Sequence, residues 1–261
     1  MKKGLLIFCG LVGVASAPAQ LVFSGAPLSD SLDALPTAPA FTFLDNWVDN
    51  STALGWYRTL ISDGTPGVEN RFRVDDGTAT GGSLWSLGQF SSTDRALGMT
   101  PSSNLPTMFF GVRILNATGS TLSSIAVDYI GEQWRQGVDG FDSLRFSYQI
   151  GATDLQSGTW TEVPAMSFDA VHQAGAIQAR NGNLPENQQA ISGILGNLQW
   201  AAGDSLWIRW KALDRPGANH TLAVDNFRIQ AVPEPASWTI LGLGAAAIFR
   251  RLRQPRATPK S

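Results

Sequence analysis

The strongest constraint on this chain is a two-residue rhythm. Between Leu144 and Ile150, the apolar Leu144, Phe146, Tyr148 and Ile150 alternate with Arg145, Ser147 and Gln149. Successive side chains of a strand point to opposite faces, so the run predicts a strand with one face buried and one wet. Ser124–Ile130 repeats the pattern with Ile125, Val127 and Tyr129. Leu206–Ala212 repeats it with Leu206, Ile208 and Trp210 opposite Trp207, Arg209 and Lys211. Gln189–Leu195 alternates more weakly, and Leu222–Gln230 reads as a closing strand. No stretch of the body carries a helical period with caps. About ten short runs of this kind predict an all-β fold, a single jelly-roll-like antiparallel β-sandwich. Asp76-Gly77, Asn116–Gly119, Asp139-Gly140, Ser157-Gly158 and Gly203-Asp204 read as hairpin turns, and Phe168–Pro185 as a long polar loop. Residues 20–40, with Pro27, Pro36 and Pro39, read as an extended lead-in to a sandwich over 41–230.

Charge separates the ends from this body. Residues 20–230 carry 12 basic and 20 acidic side chains, a net of −8 within a chain whose total is −2. An acidic body argues against a nucleic-acid partner. The start, Met1-Lys2-Lys3 followed by apolar Gly4–Val14 and small Ala15–Ala19, predicts a signal peptide over 1–19, cut to leave Gln20 first. Cys9 lies inside that apolar run, so the exported body has no thiol, disulfide or thiolate metal site. At the other end, Val232-Pro233-Glu234-Pro235 precedes the uncharged Ala236–Phe249 and then Arg250, Arg251 and Arg253. As a helix those 14 residues rise about 21 Å, short of a ~30 Å hydrocarbon core. Arginines behind such a helix stay on the cytoplasmic side and stop transfer. Any membrane contact is therefore expected through this helix alone.

Pro-Glu-Pro, a short apolar helix and an arginine cluster, in that order at the C-terminus, resemble the PEP-CTERM sorting signal of Gram-negative envelope proteins. The resemblance implies recognition by an inner-membrane exosortase, with Pro233, Glu234 and Pro235 as the sorting motif and Arg250, Arg251 and Arg253 as the stop cluster. It places the signal at 231–253, followed by a basic tail at 254–261, and implies an exported protein associated with exopolysaccharide and biofilm. Thr93–Gly98, Gly131–Arg135 and Leu206–Trp210 are similar to phrases that recur in PEP-CTERM-tailed bacterial proteins of no known activity. Leu222–Phe227 is similar to the last strand of galactose-binding-like jelly rolls, which include carbohydrate-binding modules.

The body holds no catalytic motif. His172 and His220 sit in turn-like contexts and read as solvated loop residues, and two histidines without cysteine make no metal site. Glu132, after Gly131 and before Trp134 and Arg135, is the acid to watch: a ligand contact or general acid on one reading, a buried Glu–Arg pair at a β-corner on the other. A glycosidase would need a second carboxylate at about 5–9 Å. Asp225 and Asn226 are candidates for a structural calcium ion, against the alternative of a pair capping a bulge. No other cofactor is expected. Exposed indoles stack on sugar rings, and Trp207, on the polar side of its strand, is the best placed of the tryptophans to do so. The expected function is a non-enzymatic envelope or matrix protein; the alternatives are a carbohydrate-binding module and, less favoured, a glycoside or ester hydrolase.

Overall fold

Leu144, Phe146, Leu206, Ile208 and Trp210 point inward across one antiparallel pairing that sets Phe146 opposite Trp210 and Arg145 opposite Lys211. The alternation of the sequence is thus the alternation of the sheet. A computed structural model describes residues 20–232. The signal peptide over 1–19, the Pro-Glu-Pro motif, the helix at Ala236–Phe249 and the arginine cluster lie outside the described residues.

The strands, in chain order, begin with β1 (Leu21–Phe23), β2 (Leu28–Asp30), β3 (Thr42–Phe43), β4 (Trp56–Ile61) and β5 (Phe72–Asp75). There follow β6 (Ser83–Leu87), β7 (Ala96–Thr100), β8 (Thr107–Asn116), β9 (Ile125–Gln136), β10 (Ser143–Ile150) and β11 (Thr161–Glu162). The last are β12 (Phe168–Asp169), β13 (Gln178–Ala179), β14 (Gln188–Leu195), β15 (Ser205–Leu213) and β16 (Thr221–Ala231). Among the described residues the only helical turns are 3-10 turns at Val68–Asn70, Pro164–Met166 and Pro185–Asn187. One sheet has seven strands in the order β1-β8-β15-β10-β11, with β4 also on β8 and β12 on β10. The other has nine, β13-β9-β16-β7-β6-β5-β3, with β14 on β9 and β2 on β16. Facing each other, they make a sandwich of jelly-roll type.

Trp210 is the hub of the core between them. Its ring stacks on Trp56 and Phe110 at 5.9 and 5.5 Å, and meets Tyr129, Phe146 and Phe227 edge-on at 5.2, 5.6 and 6.0 Å. Tyr129 and Phe227 belong to the nine-stranded sheet and the others to the seven-stranded one, so a single indole ties the layers together. Each such pair contributes about 0.5–1.5 kcal/mol beyond the area it buries.

The structure corrects three expectations. Most of the predicted hairpin turns are not hairpins. Asn116–Gly119, Asp139-Gly140 and Gly203-Asp204 lead from β8 to β9, β9 to β10 and β14 to β15, each time crossing from one sheet to the other. The turn chemistry was right, since Gly119, Gly140 and Gly203 all have positive φ, but a tight turn does not specify which layer the next strand joins. Asp76-Gly77 links β5 to β6, which run parallel, as β1 and β8 do; the sandwich is therefore not wholly antiparallel. Secondly, residues 20–40 are extended yet not outside the sandwich: β1 pairs with β8, β2 pairs with β16, and Leu32 and Leu35 are buried in the core. Thirdly, Glu132–Arg135 is not a corner after a strand but the second half of β9. Gly131 does not break that strand. It is glycine because the Phe168 ring lies on it, and a Cβ there would sit 2.3 Å from Phe168 Cδ2.

Candidate functional site

The outer edge of β10 is paired by two short strands and bridged between them at Phe146, whose C=O accepts from the Val163 N–H at 3.1 Å. β12 pairs with its start, Ser143 opposite Asp169, and β11 with its second half, Ser147 opposite Glu162. Between them the chain runs through the Pro164–Met166 turn. There Ser167 Oγ accepts from the Phe146 N–H at 3.1 Å, standing in for a ladder carbonyl. A cavity of about 300 Å³ opens beside this turn, bounded by Phe141, Arg145, Glu162, Pro164 and Asp169. A second, of about 210 Å³, lies against Leu213, Asp214 and Arg215. Phe141, Ser143 and Arg145 line both, so the two form one groove. Its floor is held by Arg215, whose Nε lies 2.5 Å from Asp142 Oδ1 and whose Nη2 donates to Val138 O at 2.8 Å. Phe141 is 57% exposed. Within the described residues, Arg145, Glu162 and Asp169 make no side-chain hydrogen bond.

Further across the same outer face the side chains are committed. The Arg209 guanidinium lies 3.9 Å over Trp160 and 4.9 Å over Phe109, with Nε donating to Ser147 Oγ at 2.9 Å and Nη1 to Leu155 O. Burial pulls its pKa down to about 10, which leaves it charged at neutral pH. Trp207 is on the side of its strand that the alternation predicts, but it is not exposed. Leu155 and Trp160, from the connection between β10 and β11, fold over it, Tyr57 packs at 4.6 Å, and it is 2% exposed. Of the other body tryptophans, 47, 56, 85, 134, 200 and 210 are buried and Trp160 is half-buried. The rings left in solvent are phenylalanines: Phe141, and the pair Phe41 and Phe43. The signal for Phe141 was present in the sequence, since it shares the parity of Ser143 and Arg145, outward-facing residues of β10.

Glu132, Trp134 and Arg135 lie on β9, next to the segment Phe168–Pro185 that the sequence presents as a long polar loop. Part of that segment, β13, pairs with β9, and Gly182 lies against the Trp134 indole. Glu132 is 2% exposed, and its Oε2 accepts from Trp134 Nε1–H at 2.8 Å. The expected Glu–Arg pair is absent among the described residues. Arg135 instead donates to Gly77 O and Thr78 O at 3.3 and 3.2 Å. On the neighbouring strand, Asp225 is the diagonal partner of Glu132, because Glu132 pairs with Ala223 and Asp225 with Ile130. Burial first, and for Asp225 the charge of Glu132 second, raise the two carboxyls to about 7 and about 8. Asp225 and Asn226 do cap a bulge: the register shifts after Asp225, Asn226 has φ 50°, and Asp225 accepts from the Asn226 N–H and side-chain amide at 2.6 and 2.7 Å. No group of three or more His, Asp or Glu side chains comes within metal-holding reach among the described residues.

His220 is a further correction. It is 1% exposed, its Nδ1 accepts from the Gly137 N–H at 2.8 Å and its Nε2 lies 3.1 Å from Gly140 O. A backbone N–H can only donate and a carbonyl only accept, so the proton sits on Nε2. Burial holds the ring's pKa below the ordinary histidine value. His172 is half-buried, with Nε2 2.9 Å from both Glu186 O and Asn187 Oδ1.

Residues 231–254 match the PEP-CTERM protein-sorting motif, a mark of export to the envelope of Gram-negative bacteria. The match begins at Ala231, the last residue of β16, and takes in Pro233–Pro235 and all three arginines of the stop cluster. No curated protein matches the chain. Among solved structures, the chain is similar to the K3 cleaved adhesin domain of Lys-gingipain from Porphyromonas gingivalis, with TM-score 0.40, 9% identity, and 70% of this chain and 97% of that one covered. It is similar to the CBM22-2 xylan-binding domain from Paenibacillus barcinonensis, with TM-score 0.38, 11% identity, and coverage of 70% and 96%. A CBM61 module in complex with β-1,4-galactotriose aligns with TM-score 0.33, 10% identity, and coverage of 68% and 88%. Among the described residues no helix is long and apolar enough to cross a membrane.

Proposed function

We propose that this chain is a non-enzymatic protein of the cell envelope or extracellular matrix, held at the inner membrane by its C-terminal signal until an exosortase acts on it. The carrying observation is where the sorting motif begins: the sandwich ends at Ala231 and the match starts there, so a cut near Pro233–Pro235 releases a body with every strand intact. The net charge of −8 over residues 20–230 favours release over adhesion, because anionic headgroups repel it. A non-enzymatic body is favoured by the state of Glu132, which is 2% exposed, flanked in the sheet by Gln188 and Ala223, and bonded to Trp134. Intact mass of the protein from native cells is the test. A mature species ending between Val232 and Ala236 is expected; one ending at Ser261 in a host with an exosortase overturns the reading.

A second reading, that the body binds polysaccharide, is favoured by the exposed phenyl ring of Phe141 standing in an open polar groove. It complements the first reading, since a matrix protein is retained by what it holds.

A further inference from the structure

We propose that the groove over Phe141 binds a neutral polysaccharide chain, one sugar ring stacking on Phe141 while Arg145, Glu162 and Asp169 hold its hydroxyls. The inference rests on the polysaccharide-binding reading of the body and deepens it by naming the site and the ligand class.

A lone exposed phenyl ring is ordinary on a protein surface. This one is set apart by its surroundings. It borders two adjoining cavities of about 300 and 210 Å³; Phe41 also borders a cavity, of about 350 Å³, so the distinction lies in the polar groups. The polar groups around it divide into two sets. Asp142 and Arg215 are bonded to each other and to the backbone and form the floor. The side chains of Arg145, Glu162 and Asp169 form no hydrogen bond in the described residues, although Glu162 lies near enough to Arg209 to interact with its charge. Of the other exposed rings, Phe43 already carries the Arg73 guanidinium at 4.5 Å and meets Phe41 edge-on at 4.7 Å.

The chemistry of Arg145, Glu162 and Asp169 names the ligand. A pyranose ring has flat C–H faces that lie on a phenyl ring, and a rim of hydroxyls that are both donors and acceptors. Carboxylates only accept and guanidinium only donates, so Glu162 and Asp169 on one side and Arg145 on the other satisfy a hydroxyl rim in both senses. The charge balance sets the class. Asp142, Asp214, Glu162 and Asp169 line the groove against Arg145 and Arg215, a net of −2 on an acidic body, which repels uronate and sulfate polymers. Because the cavities lie on both sides of Arg145, the site suits a chain laid across it better than one sugar.

The experiment uses the full-length protein in mild detergent, with xylan, galactan and mixed-linkage glucan as neutral probes and alginate and polygalacturonate as acidic ones, read by affinity electrophoresis and calorimetry. At least one neutral polymer is expected to bind. Phe141→Ala should weaken that binding about tenfold, the effect of losing one stacking partner. Arg145→Gln should weaken it several-fold, and Phe43→Ala should leave it unchanged, with melting temperatures confirming that each variant is folded. Binding that survives Phe141→Ala and Arg145→Gln overturns the site while leaving the polysaccharide reading standing. Stronger binding to the acidic polymers overturns the ligand class. No binding to any polymer, the host's own included, overturns both.

Discussion

Raising the pH should loosen this sandwich through two carboxyls that have no water to ionise into. Glu132 and Asp225 are 2% and 3% exposed, and their folded pKa values stand at about 7 and about 8 against ordinary values of 4.5 and 3.8. Between roughly pH 3.8 and 8 the folded protein therefore binds more protons than the unfolded chain, and stability falls as pH rises through that window. At about 1.4 kcal/mol per pKa unit, ionising Glu132 costs the fold about 3 kcal/mol. Asp225 costs about 6 kcal/mol by the same arithmetic, part of it repulsion from an ionised Glu132, so the two do not add in full. Against a typical domain stability of about 5–15 kcal/mol this is a large share. His220 acts in the opposite sense: its folded pKa is lowered, so its contribution is lost as pH falls below the ordinary histidine value. The difference between wild type and a variant isolates the acid. Glu132→Gln keeps an oxygen for the Trp134 N–H and removes the charge. Urea unfolding of residues 20–232 from pH 5 to 9 should show the variant close to wild type at pH 5 and about 3 kcal/mol more stable at pH 9. A wild-type midpoint that does not fall across this range, or a Glu132→Gln protein less stable than wild type at pH 9, refutes the reasoning.

Three further outcomes are expected. Trp207→Ala should destabilise the body by about 3–5 kcal/mol in urea unfolding, because the ring is enclosed by Tyr57, Leu155 and Trp160; a loss under about 1 kcal/mol would mean that the loop does not cover it. Gly131→Ala should cost about 1–3 kcal/mol or more by thermal melting, since the new methyl meets the Phe168 ring, and a neutral result would place that ring elsewhere. Replacing Arg250, Arg251 and Arg253 with Glu should remove the stop signal, seen as changed protease accessibility of the tail in membrane fractions; unchanged accessibility would free the arginines of that role.

What the sequence made legible was whatever depends on neighbours along one strand. Period two placed Leu144, Phe146, Ile208 and Trp210 inward and Trp207 outward, and all five point as expected. Linear order was also enough for the tail, where motif, apolar run and arginines follow one another directly. The misses involve segments far apart in sequence. Nothing near Trp207 says that Leu155 will cover it, and nothing near Glu132 says that Gln188 and Ala223 will flank it in the sheet. Asp139-Gly140 specifies a turn, whereas the layer that β10 enters is decided by the apolar face it must bury. His220 reads as solvated from its turn-like neighbours Asn219 and Thr221, yet its ring satisfies groups at 137 and 140. The Phe141 groove is lined by residues 141–146, 162–169 and 213–215, stretches far apart in sequence that only the fold brings together.

The position of β16 within its sheet has a consequence for the order of events in export. This strand is made last, yet it lies in the interior of the nine-stranded sheet, bonded to β9 on one side and to β7 and β2 on the other. Its Phe227–Ile229 pair with Leu28–Asp30, so the earliest part of the body waits for the latest. Until β16 has cleared the membrane, β7 and β9 present unpaired edges and neither half of the sheet can close. The next residues to arrive are those of the sorting motif. Under the proposed function, completion of folding and capture of the tail therefore fall at the same moment of translocation, and a chain stalled a few residues early would emerge with its central strand missing.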